Sequence, residues 1–367
     1  MTNLVLNKGG VLVLIKADEF LAFLRRSIQD KIGNFDDIIL PARMPELQEG
    51  TLILKSIRDE YEFTLDGYRA VDPVKILLYL FREEVLNKDY EKKQRIIAGV
   101  KACDLKALQL LDAALITEEF ADPSYKHWRD HTLIISADCT ASGETCHCNL
   151  VGGKPFAGAG FDLNLSRLND HYMIEVGSEK GKQFLELVKK HAPWQEAPSD
   201  VTAKIEANRQ KLLKQLAEQN KAYEYEPVYR EMRQGNIEWW KIESKECVGC
   251  GGCTNICPTC YCLILNDESD AHKFVKTRTY DSCQLNGYAR VAGGATPRPK
   301  MHERFRNRYL CKFDYMHHNF DMLGCTGCGR CIDTCPASIN FRQVVHNIHK
   351  NLARQLKTVP STVPGEV

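Results

Sequence analysis

Two stretches of this sequence repeat one arrangement of thiols: Cys247-x2-Cys250-x2-Cys253-x3-Cys257-Pro258 and Cys325-x2-Cys328-x2-Cys331-x3-Cys335-Pro336. A [4Fe-4S] cube needs four thiolates converging on one small body, and three cysteines spaced by two residues curl a loop around it. The spacers Val-Gly, Gly-Gly, Thr-Gly and Gly-Arg each contain a glycine, which lets the backbone approach the cube and adopt positive φ. In two-cluster proteins with this run the fourth cysteine ligates the other cube. The expected sets are therefore Cys247, Cys250, Cys253 and Cys335 for one cluster, and Cys325, Cys328, Cys331 and Cys257 for the second. Such a crossover forces the two runs into contact. Zinc sites of four cysteines also use C-x2-C pairs, but structural zinc joins two separated knuckles rather than an unbroken run.

Eight cysteines lie outside the runs. Cys103, Cys139, Cys146 and Cys148 match in number what one further cubane needs, and they fall in loops at strand ends, where an α/β domain places a site. They are candidate ligands of a third cluster; the alternative is four separate buried thiols acting as small hydrophobes. Cys260, Cys262 and Cys283 are candidates for a further cluster, with Cys311 read as a bystander. The expected cofactors are thus two [4Fe-4S] clusters and one or two additional iron–sulfur clusters. Between the runs, Arg298 to Lys312 concentrates positive charge, which would stabilise the reduced state of an anionic cluster or dock an acidic partner protein. The patch is too short and too local to read as a nucleic-acid surface. His317-His318 reads as a solvated loop pair. Gly177 to Lys182 is one residue short of a phosphate loop, and no G-x-G-x-x-G is present, so nothing here binds NAD or FAD unaided.

These residues need elements to position them. The chain has 367 residues, 49 Lys+Arg against 48 Asp+Glu, and 44% hydrophobic residues, enough for two domains with real cores. Near-neutral charge argues against a nucleic acid or an acidic membrane as the partner of the whole surface. The start, MTNLVLNKGG, carries no secretory signature, and no apolar run approaches the roughly 20 residues of a membrane span. A cytoplasmic location is expected. In a reducing compartment sixteen cysteines read as metal ligands rather than disulfides.

Strand-like runs occur at Val11 to Ile15, Thr51 to Ile57, Arg95 to Val100 and Thr132 to Ser136. Helical patterns cover Ala17 to Gln29, Pro73 to Val85, Leu105 to Ala114, Ser178 to His191 and, after a Ser199/Asp200 start signal, Asp200 to Gln219. The fold class is α+β: an N-terminal α/β-type domain over 1–198, a helical connector over 199–240, a mostly α-helical two-cluster ferredoxin domain over 241–358, and a mobile tail over 359–367.

The order of motifs is familiar: GVKACDLKAL, a strand leading to a cysteine and a C-x-C turn, VGSEKG, a run closing as CPTCYC, then DSCQ, VAGG, RFRNRYLCK and the second run. Together they resemble the family of iron–sulfur electron-transfer subunits found in anaerobic sulfite reductase and, as the beta subunit, in sulfhydrogenase-type nickel–iron hydrogenases. The likeness spans nearly all of the chain after about residue 95. It implies an electron-transfer component of an anaerobic, multi-subunit oxidoreductase. The expected partners are an NAD(P)H-oxidising flavoprotein subunit, which donates or accepts electrons, together with a separate catalytic reductase or hydrogenase subunit. One departure stands out: Ala292-Gly-Gly-Ala-Thr-Pro-Arg-Pro299 occupies the place where the resemblance implies Gly-Gly-His-Asn-Phe-Arg-Pro. The leading expectation is a relay with no catalytic residue of its own. The alternative is a catalytic iron–sulfur protein that reduces sulfite, a disulfide or a similar substrate at an incompletely ligated iron.

Overall fold

The computed structural model describes residues 12–358, apart from 48–49, 86–89, 91, 118, 224–229 and 270–271. The tail expected to be mobile, 359–367, lies outside the described residues.

The N-terminal strands are β1 (Val13–Lys16), β2 (Asp37–Arg43), β3 (Leu52–Ser56), β4 (Glu62–Phe63), β5 (Arg82–Glu84), β6 (Arg95–Val100), β7 (Thr132–Ala137), β8 (Leu163–Leu168), β9 (His171–Val176) and β10 (Gln195–Glu196). Nine of them form one sheet, in the order β10-β1-β9-β8-β7-β6-β2-β3 with β4 added on β2. Its centre is parallel, β2 to β6 to β7 to β8, and its flanks are antiparallel. Of the parallel strands, β2, β6 and β7 read as near-continuous apolar runs because both faces are covered. Side chains alternate across the sheet. Ile96 and Ala98 of β6 join a core on one face with α1 (Ala17–Gln29), through Phe20, Phe23 and Leu24; Ile97 and Val100 join the opposite core with α2 (Ala102–Leu115), through Leu105, Leu108 and Leu111. The short α3 (Pro123–Asp130) adds Tyr125 to the second core, and α4 (Glu179–His191) adds Phe184 and Val188 to the first.

Local signals explain most of these ends. Acidic Asp18 and Glu19 occupy the first turn of α1, where they complement its dipole. In the stretch that mimics a phosphate loop, Ser178 is an N-cap, its Oγ accepting from the Gly181 N–H at 3.0 Å. The connector helix α5 (Val201–Asn220) buries Val201, Ile205, Leu212 and Leu216.

The expected helix Pro73 to Val85 does not form. Residues Val74–Leu77 make a single 3-10 turn, and Arg82–Glu84 become β5. Strand pairing overrides the helical spacing there: β5 joins β12 (Phe274–Tyr280), which pairs with β11 (Leu263–Ser269). Buried Arg278 of β12 pairs with Glu83 of β5 and with Asp122. The cluster region thus carries an antiparallel ribbon beside its helices.

The remaining C-terminal elements are helical: α6 (Ile237–Glu243), α7 (Gly252–Asn255), α8 (Met301–Leu310), a π turn (Cys311–Tyr315), α9 (Met316–Phe320), α10 (Arg330–Asp333) and α11 (Phe341–Thr358). His317 and His318, expected in a loop, lie in α9. Trp240, Phe305, Tyr309, Phe313 and Phe341 build a separate aromatic core, with the Tyr309 and Phe341 rings stacked at 4.6 Å between centroids. Among the described residues no helix is long and apolar enough to cross a membrane.

Candidate metal centres

All sixteen cysteines are described, and none is in a disulfide. Nor do any three His, Cys, Asp or Glu side chains among the described residues close around a point as a single metal ion requires. The thiols instead ring spaces. A four-iron cube holds its ligands apart at its corners, and rings of this kind suit it.

In the ferredoxin region, Cys247, Cys250, Cys253, Cys331 and Cys335 line one cavity of ≈ 460 Å³ including its mouth. They come from both runs, and the four that the crossover expects are among them. Cys257, closing the first run, lies near Cys325 and Cys331 of the second run as well as near Cys253 of its own. The Gly327 N–H points at the Cys325 Sγ at 3.4 Å, and the Ile339 N–H at the Cys335 Sγ at 3.4 Å, the backbone donation that stabilises thiolate ligands.

Of the positive segment, Arg304, Arg308 and Lys312 are buried, so these three face the interior rather than a docking partner. Arg308 lies against Cys253, Cys257 and Cys331, between the two rings. Its Nε is buried without a hydrogen-bond partner. A buried guanidinium with an idle donor, surrounded by thiols, fits an anionic cluster whose sulfurs accept hydrogen bonds.

The N-terminal quartet also converges. Cys103 sits at the start of α2, just past β6, and Cys139 just past β7; both are at the carboxyl ends of parallel strands, the usual position for a site in such a sheet. Cys146 and Cys148 come from the loop before β8. The four line a single cavity together with Tyr68, Arg69 and Cys328. Burial pushes the Cys139 and Cys148 thiols up to about 12, and Cys103 well upward. Ligation would have to remove those protons. Lys101, wholly buried behind the ring, faces Cys139 and Cys103 and donates to the Leu65 carbonyl at 2.7 Å.

The loop is held from outside. From α5, Gln219 Nε2 donates to the carbonyls of Gly143, Glu144 and Cys146 at 3.0 Å each, and Asn220 Nδ2 to that of Cys146 at 3.0 Å. From beyond the second run, Arg342 donates to the Glu144 carbonyl at 3.0 Å.

This N-terminal ring abuts the second ferredoxin run, which nothing in the local sequence shows. Arg330, inside that run, forms a buried bidentate pair with Asp104, 2.9 and 2.8 Å. Arg69 donates to the Cys328 carbonyl at 2.7 Å. The His147 N–H donates to the Gly327 carbonyl at 2.8 Å. Burial lowers His147 to about 4, so its ring is neutral, with Nδ1 2.8 Å from the Thr145 carbonyl and Nε2 3.8 Å from the Cys325 Sγ. Cys328 therefore belongs to one ring by its run and forms a wall of the next.

Residues 246–339 match the 4Fe-4S dicluster domain family. Over 329 residues the chain is 30% identical to the sulfhydrogenase 2 subunit beta of Pyrococcus furiosus, covering 84% of this chain and 92% of that protein. Over 188 residues it is 24% identical to an F420-dependent formate dehydrogenase subunit beta of Methanocaldococcus jannaschii, covering 51% of this chain and 41% of that protein.

Proposed function

This chain belongs to the family of the sulfhydrogenase beta subunit, and from that premise we propose that it is the iron–sulfur relay subunit of a cytoplasmic oxidoreductase complex. Its partners in this reading are a flavoprotein that oxidises NAD(P)H and a catalytic hydrogenase or reductase. The observation that carries the reading is the shared wall: Cys328 of the second ferredoxin run lines the cavity ringed by Cys103, Cys139, Cys146 and Cys148. With Cys257 reaching back to the second run, three thiol rings adjoin in series.

Cys103, Cys139, Cys146 and Cys148 would hold one cluster; Cys325, Cys328, Cys331 and Cys257 the next; Cys247, Cys250, Cys253 and Cys335 the last. Bound clusters would supply one-electron storage at low potential, on the order of −400 mV as in plant-type ferredoxins. The protein's part is to fix the ligands, exclude water and place charge. Arg308 puts a buried cation and Lys101 a buried amine beside the rings, and the Asp104–Arg330 pair holds two rings in register. No side chain is needed as acid, base or nucleophile.

The test is Cys250→Ala in the assembled complex. It should abolish pyridine-nucleotide-linked turnover while the catalytic partner keeps its activity with an artificial electron donor. Unchanged turnover in a complex shown by EPR to lack that cluster would sink the relay.

A further inference from the structure

Four cysteines remain outside the three rings, and the fold gathers them from separate elements. Leu263 pairs with Tyr280 across the β11–β12 ribbon, and the Asp281 N–H donates to the Cys262 carbonyl at 3.0 Å. Cys262 and Cys283 thereby meet at one end of the ribbon. Cys311 opens the π turn, an irregularity uncommon in helices and frequent at functional sites. It lies near Cys262 and Cys283, which also lie near each other. Tyr261 sits against Cys260, Cys262 and Cys311. Around them, Tyr288 Oη is 3.7 Å from the Cys262 Sγ, and Gln284 Nε2 is 3.5 Å from the Cys283 Sγ.

Two lysine amines are buried beside this group. Lys75, 1% exposed, donates to the Cys260 carbonyl at 2.8 Å, and Lys312, 3% exposed, to Thr259 Oγ1 at 2.7 Å. Thiols are the acidic groups nearest their charges: Cys260, Cys257 and Cys262 for Lys75, and Cys257, Cys260 and Cys311 for Lys312. The two lysines also repel each other. Buried cations need anions to offset lost hydration, and the thiolates and sulfides of a cluster would supply them.

We propose that Cys260, Cys262, Cys283 and Cys311 hold a fourth iron–sulfur cluster of the four-iron class, with Lys75 and Lys312 as the buried cations that balance its charge. Its position differs from that of the N-terminal ring. Cys260 lies against Cys257 of one ferredoxin set, and Cys283 against Cys253 of the other. A fourth centre here would adjoin both, which makes the array branched rather than linear. The relay reading needs only the other three rings and stands apart from this inference.

The test is anaerobic reconstitution of the full chain with ferrous iron and sulfide, followed by metal analysis and Mössbauer spectroscopy. Wild-type protein should hold about 16 iron per chain, and Cys311→Ala and Cys262→Ala about 12 each, with the coupled signals of the ferredoxin pair unchanged. Cys139→Ala is the control, since it should empty only the N-terminal ring. A wild-type content of about 12 or fewer, zinc in place of iron, or Cys311→Ala protein that keeps all its iron would overturn the fourth cluster. If both substituted chains fail to fold, the wild-type count decides. A count of about 12 with the coupled signals intact removes the fourth site and leaves the relay standing.

Discussion

Arg308 brings a permanent charge into the space between two thiol rings, and its aliphatic and planar surface is fixed there by packing over Phe341, 4.8 Å from guanidinium carbon to ring centroid. A fixed cation favours the more negative, reduced state of a neighbouring cluster. Arg308→Gln should therefore lower the midpoint potentials of the ferredoxin pair by about 100 mV, the scale of one unit charge several ångströms away at an effective dielectric near 20. EPR-monitored redox titration measures this, and unchanged potentials would remove Arg308 from the electrostatics. The thiols make a second prediction, for metal-free protein. Burial raises Cys139, Cys148 and Cys325 to about 12, against about 8.5 for an unfolded thiol. Between those values the folded state binds more protons than the unfolded one, so stability is full below about pH 8.5 and falls as pH rises toward 12. Denaturant midpoints at pH 7.5 and 10 should show the drop. A flat profile would mean that the empty rings open to water. The two cysteine runs are legible in the sequence because their spacing is local. The approach of Cys311 to Cys262 and Cys283 is not, because those two arrive from another element.

Gly327 shows how an element-level fit can be hidden in a motif-level reading. Its φ of +68° suits the curl of the second run, as expected for a spacer glycine. The tighter constraint is tertiary: a Cβ there would lie 2.4 Å from the Cys148 Cα and 2.5 Å from the His147 carbonyl oxygen. Gly327→Ala should therefore displace the Cys146–Cys148 turn as well as its own loop. The expected result is loss of about eight iron, from two adjoining rings, rather than four. Gly293→Ala, whose Cβ would meet nothing within 4 Å, should lose none. Loss confined to one ring would show that the two loops are independent. Elements with a strong local period, α1, α4 and α5, were legible from their apolar spacing and start signals. The Pro73–Val85 segment was not. Its spacing is helical, but Lys75 bonds the Cys260 carbonyl and Glu83 pairs with Arg278, partners about two hundred residues away that decide its conformation.

At the scale of the molecule, the sheet and the cluster region are joined by polar contacts whose halves are individually unremarkable in the sequence. Arg330 reads as a spacer residue and Asp104 as the first acid of a helix. In the fold Arg330 is 1% exposed and donates to Asp104 and to the carbonyls of Ala70, Val71 and Asp72. The pair crosses 226 residues of chain, so no local pattern could have revealed it. What the sequence did carry was the order of motifs, which placed both halves in one family. Breaking one partner of a buried pair leaves the other charge uncompensated and costs about 3–5 kcal/mol. Asp104→Asn should impose such a cost at the junction while leaving every thiol in place. The expected outcome is a lower denaturation midpoint, together with weaker magnetic coupling between the N-terminal ring and the second ferredoxin ring. Coupling within the ferredoxin pair should stay as it is, because Arg308 and the crossover of Cys257 hold that pair without Asp104. Equal loss of coupling across all rings would place the register of the array in the helical core around Tyr309 and Phe341 instead of at the junction.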